Sequence, residues 1–243
     1  GTLVLALGYG IMFGNIVLLP LWLQQYMGYT ATWAGIIMAP VGLLAIVLSP
    51  YVGRTMHKVD LRLYATIAFV TFAIVLWMRA GFNANVDLET LLIPTFVQGI
   101  AMAFFFVPLV AITLSGLRPE SIPSASGLSN FARITAGAFG TSIITTQWED
   151  RAAEHHAHLT EAITTASIPT TQALSELDAL GMTHDQSLSH INHLIEQQAF
   201  MLSANDIFAV SAALFLLLAG LVWLARRGAA QAAGAAGDAG GAH

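Results

Sequence analysis

The chain has 243 residues, of which 56% are hydrophobic and only 9% are charged. A soluble domain carries about 25% charged residues, so this composition indicates a polytopic membrane protein. The net charge of −5 says little about partners, because the acidic residues concentrate in one segment, 147–205. The sequence contains no cysteine, which excludes disulfides, thiolate metal sites and thiol catalysis.

Apolar runs long enough to cross a bilayer recur along the chain, at about 20 residues per crossing. Helices are expected, because an apolar interior requires each backbone group to be satisfied within its own segment. The predicted fold is an all-α membrane protein with six transmembrane helices. The runs cover residues 2–23, 32–52, 63–78, 90–114, 123–146 and 206–225.

These runs divide the chain into four parts. Residues 1–146 are predicted to hold transmembrane helices one to five. Residues 147–205 form an acidic, partly helical loop that contains six of the eight histidines. Residues 206–227 hold the sixth helix, and 228–243 form a low-complexity tail that we expect to be disordered. The chain begins at Gly1 and not at a methionine, so we interpret it as a fragment of a longer protein.

The basic residues predict the orientation. Lys and Arg are enriched in cytoplasmic loops of membrane proteins. Here they cluster after the second, fourth and sixth runs, which an even number of crossings separates. Both ends of the segment are therefore expected to be cytoplasmic, and the 147–205 loop to face the opposite side. The residues that carry this prediction are Arg54, Lys58, Arg62, Arg118, Arg226 and Arg227.

Small residues and one arginine distinguish the fifth run. Small residues allow transmembrane helices to approach closely, and the first run has a matching GxxxG pattern. Arg133 lies inside the fifth run, and a charge within a span usually faces a bundle interior or a water-filled cavity. The alternative is that Arg133 reaches the nearby membrane face and only anchors the helix. The predicted packing residues are Gly10, Gly14, Ala136, Gly137 and Gly140.

Other polar and aromatic residues inside the runs are candidates for a substrate cavity or for a seam with another part of the protein. Asn15 either contacts a substrate or bonds to a neighbouring helix. The aromatic and Met residues of the fourth run either line an apolar pocket or simply pack. Pro40 and Pro108 are predicted to kink their helices. The predicted cavity residues are Arg133, Asn15, Gln98, Asn130, Met102 and Phe105.

Two further expectations concern residues outside this set. The third run is featureless and is predicted to face lipid. Asp206, at the start of the sixth run, is predicted to cap its helix.

Motifs of enzymes and ATPases are missing from the sequence. There is no GxxxxGK[ST], GxSxG or HExxH. The histidine pairs His155/His158 and His190/His193 could share a helix face, but no pattern supplies a third metal ligand. We therefore predict no enzyme activity, no cofactor, no metal site and no nucleic-acid partner.

Four blocks of sequence, in this order, resemble the C-terminal half of the EmrB/QacA-type drug:proton antiporters, the fourteen-helix branch of the major facilitator superfamily. The resemblance covers nearly the whole chain except the tail. The loop at 53–62 departs from the superfamily signature G-x-L-x-D-R-x-G-R-[KR]. His57 stands where the signature has Asp, and Asp60 stands where it has its second Gly. The blocks are LPLWLQQYMGYTATWAGIIMAP at 19–40, QGIAMAFFFVPL at 98–109, SASGLSNFARITAGAFGTSI at 124–143 and QQAFMLSANDIF at 197–208.

This resemblance implies the last six helices of a proton-driven multidrug efflux permease. Such a protein exports hydrophobic small molecules across the bacterial inner membrane by alternating access. The proton-coupling acids would belong to the missing N-terminal half. In Gram-negative bacteria the implied partners are a periplasmic adaptor and an outer-membrane channel, besides protons and the lipid bilayer. Two alternatives stay open: an exporter of a siderophore, fatty acid or amino acid on the same fold, and a non-transporting half-length membrane scaffold.

Overall fold

The computed structural model describes residues 2–55, 59–83, 86–114, 118–163 and 168–224. Within these ranges the chain is helical, with no strand. Predicted features at His57, Lys58, Arg226, Arg227 and the 228–243 tail lie outside the described residues. The helices are α1 (Thr2–Gln25), α2 (Ala31–Thr55), α3 (Leu61–Arg79), α4 (Leu88–Leu114), α5 (Ile122–Ala162), α6 (Ile168–Ala179) and α7 (His184–Leu221), with 3₁₀ turns at Pro119–Ser121 and Val222–Leu224.

Five segments of the described part are long and apolar enough to cross a membrane. The all-α membrane fold predicted from the sequence is thereby confirmed. Helix α5 is not among the five, because its first half mixes small and polar residues with the apolar ones. The count of six crossings therefore stays a prediction. The five segments are Ala6–Gln25, Ala31–Thr55, Leu61–Arg79, Leu88–Phe106 and His184–Leu224.

Helices α5 and α7 are much longer than a bilayer requires. They contain 41 and 38 residues, which at 1.5 Å per residue is about 60 Å, against about 30 Å for the hydrocarbon core. Most of the 147–205 segment is thus built from continuations of these helices, together with α6. Helix α7 starts at a capping box formed by Thr183 and Gln186. The prediction that Asp206 caps a helix is therefore wrong, because Asp206 lies in the middle of α7.

The packing of α3 corrects a second expectation. Helix α3 was expected to face lipid, yet one side of it is buried against α4 and α7. Phe69 and Phe72 of α3 meet Phe105 of α4 and Phe215 of α7, with ring centroids 5.0 to 5.9 Å apart. We call these four rings the aromatic core. Large apolar residues give no sign in the sequence of whether they meet lipid or other side chains, because the two environments are equally apolar.

Helices α1 and α5 pack through small residues instead. A Cβ atom added at Gly10 would lie 3.0 Å from the Ala136 carbonyl oxygen, and one at Gly14 would lie 2.9 Å from the Gly140 carbonyl oxygen. Gly140 lies against the Gly10 backbone. We call Gly10, Gly14, Ala136, Gly137 and Gly140 the small-residue contact. The lack of side chains is what allows the two backbones to come this close.

Helix α2 packs on α4 by a similarly close approach of its backbone to a glycine. A Cβ atom at Gly99 would lie 3.2 Å from the Pro40 carbonyl oxygen. Helix α2 is assigned as a continuous helix across Pro40, so a kink there stays a prediction. The side chain of Pro108 lies outside the described part of the structure.

Candidate functional site

Arg133 lies on α5, partly buried, and faces α1. Its guanidinium carbon sits 5.7 Å from the centroid of the Tyr9 ring, within the range of a cation–π interaction. Its Nη2 donates a hydrogen bond of 2.6 Å to Oδ1 of Asn130, whose side chain is exposed. The charge is therefore fixed between an aromatic ring and an amide at the edge of the bundle.

Tyr9 connects this arginine to the interior. The ring is 6% exposed, and its centroid lies 4.9 Å from that of Phe105 and 5.8 Å from that of Phe106. Met102 is partly buried and packs against the same core. The structure thus brings Arg133, Asn130 and Phe105 to one region, with aromatic rings beneath the charge.

Sequence reasoning missed Tyr9. The only signal was a hydroxyl-bearing ring in an apolar run, and its contacts are residues of α4 and α5, far away in the chain.

Asn15 lies on α1 and faces α7. It is 2% exposed and its Nδ2 donates to the Ser211 hydroxyl at 3.0 Å and to the Ile11 carbonyl at 2.7 Å. Of the two sequence-based interpretations, the bond to a neighbouring helix is the one present here. A place at a cavity or seam stays a prediction for Asn15.

Gln98 is also inside the bundle, at 2% exposure. Its Oε1 accepts a hydrogen bond of 2.6 Å from Nη2 of Arg79, the last residue of α3. Arg79 is fully buried. Residue 79 directly follows the third predicted run, 63–78, and nothing in the sequence indicated its burial, because the bond to Gln98 depends on how α3 packs on α4.

A cluster of polar side chains links the extension of α5 beyond the predicted span to α7. One carboxylate oxygen of Asp206 lies 3.3 Å from Nη1 of Arg151 and 2.9 Å from Nε2 of His155. One turn away, Nε1 of Trp148 donates to the Phe200 carbonyl and Ser203 donates to the Trp148 carbonyl. Among the described residues, no group of three or more histidines and carboxylates is arranged to hold a metal ion.

A cavity of about 220 Å³ opens where α1 ends against α7. Gln197 closes one side by donating from Nε2 to the Tyr26 carbonyl at 3.0 Å. Burial, together with the nearby charges of Glu196 and Glu149, raises the pKa of Tyr26 to about 12. The phenol is therefore neutral at physiological pH. The lining residues are Trp22, Tyr26, Met27, Gly28, Gln197 and Met201.

Comparison with known proteins shows which family has this architecture. A family model described as the Major Facilitator Superfamily matches residues 1–141. Over its whole length the chain is 48% identical to the Multidrug export protein EmrB of Escherichia coli K12 and covers 47% of that protein. It is 41% identical to the Fatty acid resistance protein FarB of Neisseria gonorrhoeae, over 93% of this chain and 45% of the relative. It is also 41% identical to the EmrB protein of Haemophilus influenzae, over 93% and 44%.

The chain spans about half the length of the curated relatives it matches. The resemblance predicted from the four sequence blocks is confirmed by these matches. The multi-pass helical architecture agrees with this transporter family. The chain belongs to the Major Facilitator Superfamily.

Proposed function

We propose that this chain is the C-terminal half of a proton-driven multidrug efflux permease. The complete protein would export hydrophobic compounds across the bacterial inner membrane by alternating access. The observation that carries the proposal is the 48% identity, along the entire chain, to a protein named for multidrug export. Transporters built from two repeats rock them against each other around a central site, so the first partner is the missing N-terminal half.

In this proposal, the region around Arg133 is the surface that faces the N-terminal half. Arg133 and Asn130 lie beside Leu128, Phe131 and Ile134, which are 61 to 70% exposed. A fixed charge among exposed apolar side chains suits a path for hydrophobic compounds that carry one polar group. Met102 and Phe105 would form the wall behind it. Asn15 and Gln98 would join only when the helices of this half separate.

The remaining parts of the proposal follow from charge and position. The proton-coupling acids are assigned to the missing half, because Asp206 is already engaged by Arg151 and His155. Both ends of the segment would be cytoplasmic, by the distribution of basic residues. The continuations of α5 and α7, with α6, would then face the periplasm and offer a helical surface to an adaptor that leads to an outer-membrane channel.

Efflux by the full-length protein in cells lacking their own pumps tests the proposal. The variant Arg133→Ala should lower efflux of hydrophobic drugs while its membrane level stays the same, because the charge beside the path is lost. Arg118→Ala is the matched control, since Arg118 is exposed outside the helices. Unchanged efflux in Arg133→Ala would return Arg133 to the role of a membrane anchor.

A second candidate function is export of fatty acids, favoured by the 41% identity to a protein named for fatty acid resistance. A susceptibility panel of fatty acids and neutral drugs separates the two. The scaffold alternative is tested by the mass of the native polypeptide in its own membranes. A species of roughly twice the 25.8 kDa of this chain supports a two-half transporter, and a species near 25.8 kDa without transport supports the scaffold.

A further inference from the structure

The cavity where α1 ends against α7 has a buried floor and an open rim. Its volume is about 220 Å³. Trp22 of α1 and Met201 of α7 form the floor and are 1% and 4% exposed. Tyr26 and Met27 are partly buried, and Gly28 at the rim is exposed. A cavity of about 150 Å³ holds benzene, so this one has room for a substituted aromatic ring that enters from the rim.

Contacts outside the cavity hold its walls in place. The Tyr26 ring stacks on Phe200 of α7, with centroids 4.2 Å apart, and Trp148 of α5 meets the same ring edge-on at 5.6 Å. At the rim the chain turns at Gly28, whose φ of +69° favours glycine. Walls that are fixed before binding lose little conformational freedom when a ligand enters, which favours affinity.

Gln197 supplies the cavity with an amide in a fixed position. Its Nε2 donates a hydrogen bond of 3.0 Å to the Tyr26 carbonyl. A glutamine amide carries two N–H donors and one carbonyl acceptor, and this bond uses one donor. Small-molecule sites combine aromatic or apolar walls with a few placed polar groups. The cavity has both, because Gln197 lies beside the rings of Trp22 and Tyr26.

The charges around the cavity restrict what it can hold. None of its six lining residues is charged. Glu196 precedes Gln197 on α7 and lies one turn from Phe200, on which Tyr26 stacks, and Glu149 also acts on Tyr26. Among the described residues, neither glutamate forms an ion pair with a basic side chain. An anionic ligand would therefore be repelled, and an uncharged one would not.

We propose that this cavity binds uncharged compounds that carry one aromatic ring and an amide-type hydrogen-bonding group. The ring would lie against Trp22 and Met201, because aromatic and thioether side chains both favour contact with a ring. The amide group would bond to Gln197. This site is separate from the surface at Arg133. The inference rests on the proposed export function only in taking such compounds to be transported.

Binding to the purified full-length protein tests the site. The probes are 4-fluorobenzamide and 4-fluorobenzoate, which have nearly the same shape and differ in charge at neutral pH. The readout is the Kd of each probe from a fluorine NMR titration. The wild type should bind the amide about tenfold more tightly, because the carboxylate loses its hydration and meets like charges. Equal affinities, or tighter binding of the carboxylate, would overturn the proposal.

Two variants locate the site. Met27→Trp narrows the rim and should weaken binding of 4-fluorobenzamide about tenfold. Met78→Trp, at a position of α3 that is 37% exposed, is the matched control and should bind like the wild type. Gln197→Leu keeps the approximate size of the side chain and should weaken binding about fivefold, the equivalent of one hydrogen bond. Unchanged affinity in both Met27→Trp and Gln197→Leu would place the ligand elsewhere and overturn the proposal.

Efflux of hydrophobic drugs, measured in cells in parallel, separates this inference from the proposed function. Equal affinities for the two probes with intact efflux would overturn the site and leave the proposed function in place. A preference for the amide probe in a wild type that exports no drug would support the site and refute the function. Helical circular dichroism of each variant confirms that folded proteins are compared.

Discussion

The small-residue contact and the aromatic core hold the same bundle together in opposite ways. Between α1 and α5 the backbones approach until a Cβ at Gly10 would lie 3.0 Å from a carbonyl oxygen. Between α3, α4 and α7 the space is filled by rings such as Phe72 and Phe215, whose planes are inclined by only 16°. In an apolar solvent, association depends on packing and not on release of water. Close backbones and interlocked rings are two solutions to that requirement.

The comparison also explains how the two arginines are held. Arg79 ends a helix that contributes rings to the aromatic core, and it is completely buried. Arg133 lies on α5, a helix rich in small residues, and its side chain stays partly exposed over the Tyr9 ring. The two regions should therefore respond to opposite changes in side-chain volume.

The largest effect is expected when the aromatic core loses a ring. Phe215→Ala should lower the free energy of unfolding by about 3–5 kcal/mol, because the fully buried ring leaves a cavity between Phe69 and Phe72. Denaturation in detergent, followed by helical circular dichroism, measures this change. Leu216→Ala, at a neighbouring position that is 55% exposed, should change stability by less than about 1 kcal/mol. Equal losses in both variants would mean that the rings are not a core.

Added volume should damage the small-residue contact instead. Gly140→Val places a side chain against the Gly10 backbone, which cannot yield as a flexible side chain would. The expected loss is about 3 kcal/mol, at the upper end for overpacked positions, and the same unfolding measurement applies. Gly127→Val, on the same helix with nothing within 4 Å of its Cβ position, is the control. A stable Gly140→Val variant would show that α1 and α5 do not need this approach.

The smallest effect is expected at Tyr9, which touches both regions. Tyr9→Leu removes the ring face beneath Arg133 and the ring contact with Phe105. It should cost about 1–2 kcal/mol, from the sum of the cation–π and aromatic contributions, and it should lower efflux. Tyr9→Phe keeps both contacts and should behave like the wild type. If both variants lose efflux equally, the hydroxyl and not the ring supports Arg133.

Particular residues show how far the sequence could reach. The GxxxG pattern of α1 and the small residues of the fifth run indicated close packing, and the structure places Gly10 against Ala136 and Gly140. Arg133 stood out because it lies within a span. Tyr9, Arg79 and the position of Asp206 in α7 could not be found in this way. Each depends on which helix lies beside it, and hydrophobicity has the same value against lipid as against another helix.

By itself, the sequence determined that this chain is an all-α membrane protein of a transporter family. Backbone hydrogen bonding in an apolar medium leaves helices as the structure for long apolar runs, and four sequence blocks carried the resemblance. Only the tertiary structure decided that one side of α3 is buried, that α5 and α7 continue far past the predicted spans, and that Arg79 is enclosed beside Gln98. These features arise from contacts between distant segments, in which volume and shape decide what a local pattern leaves open.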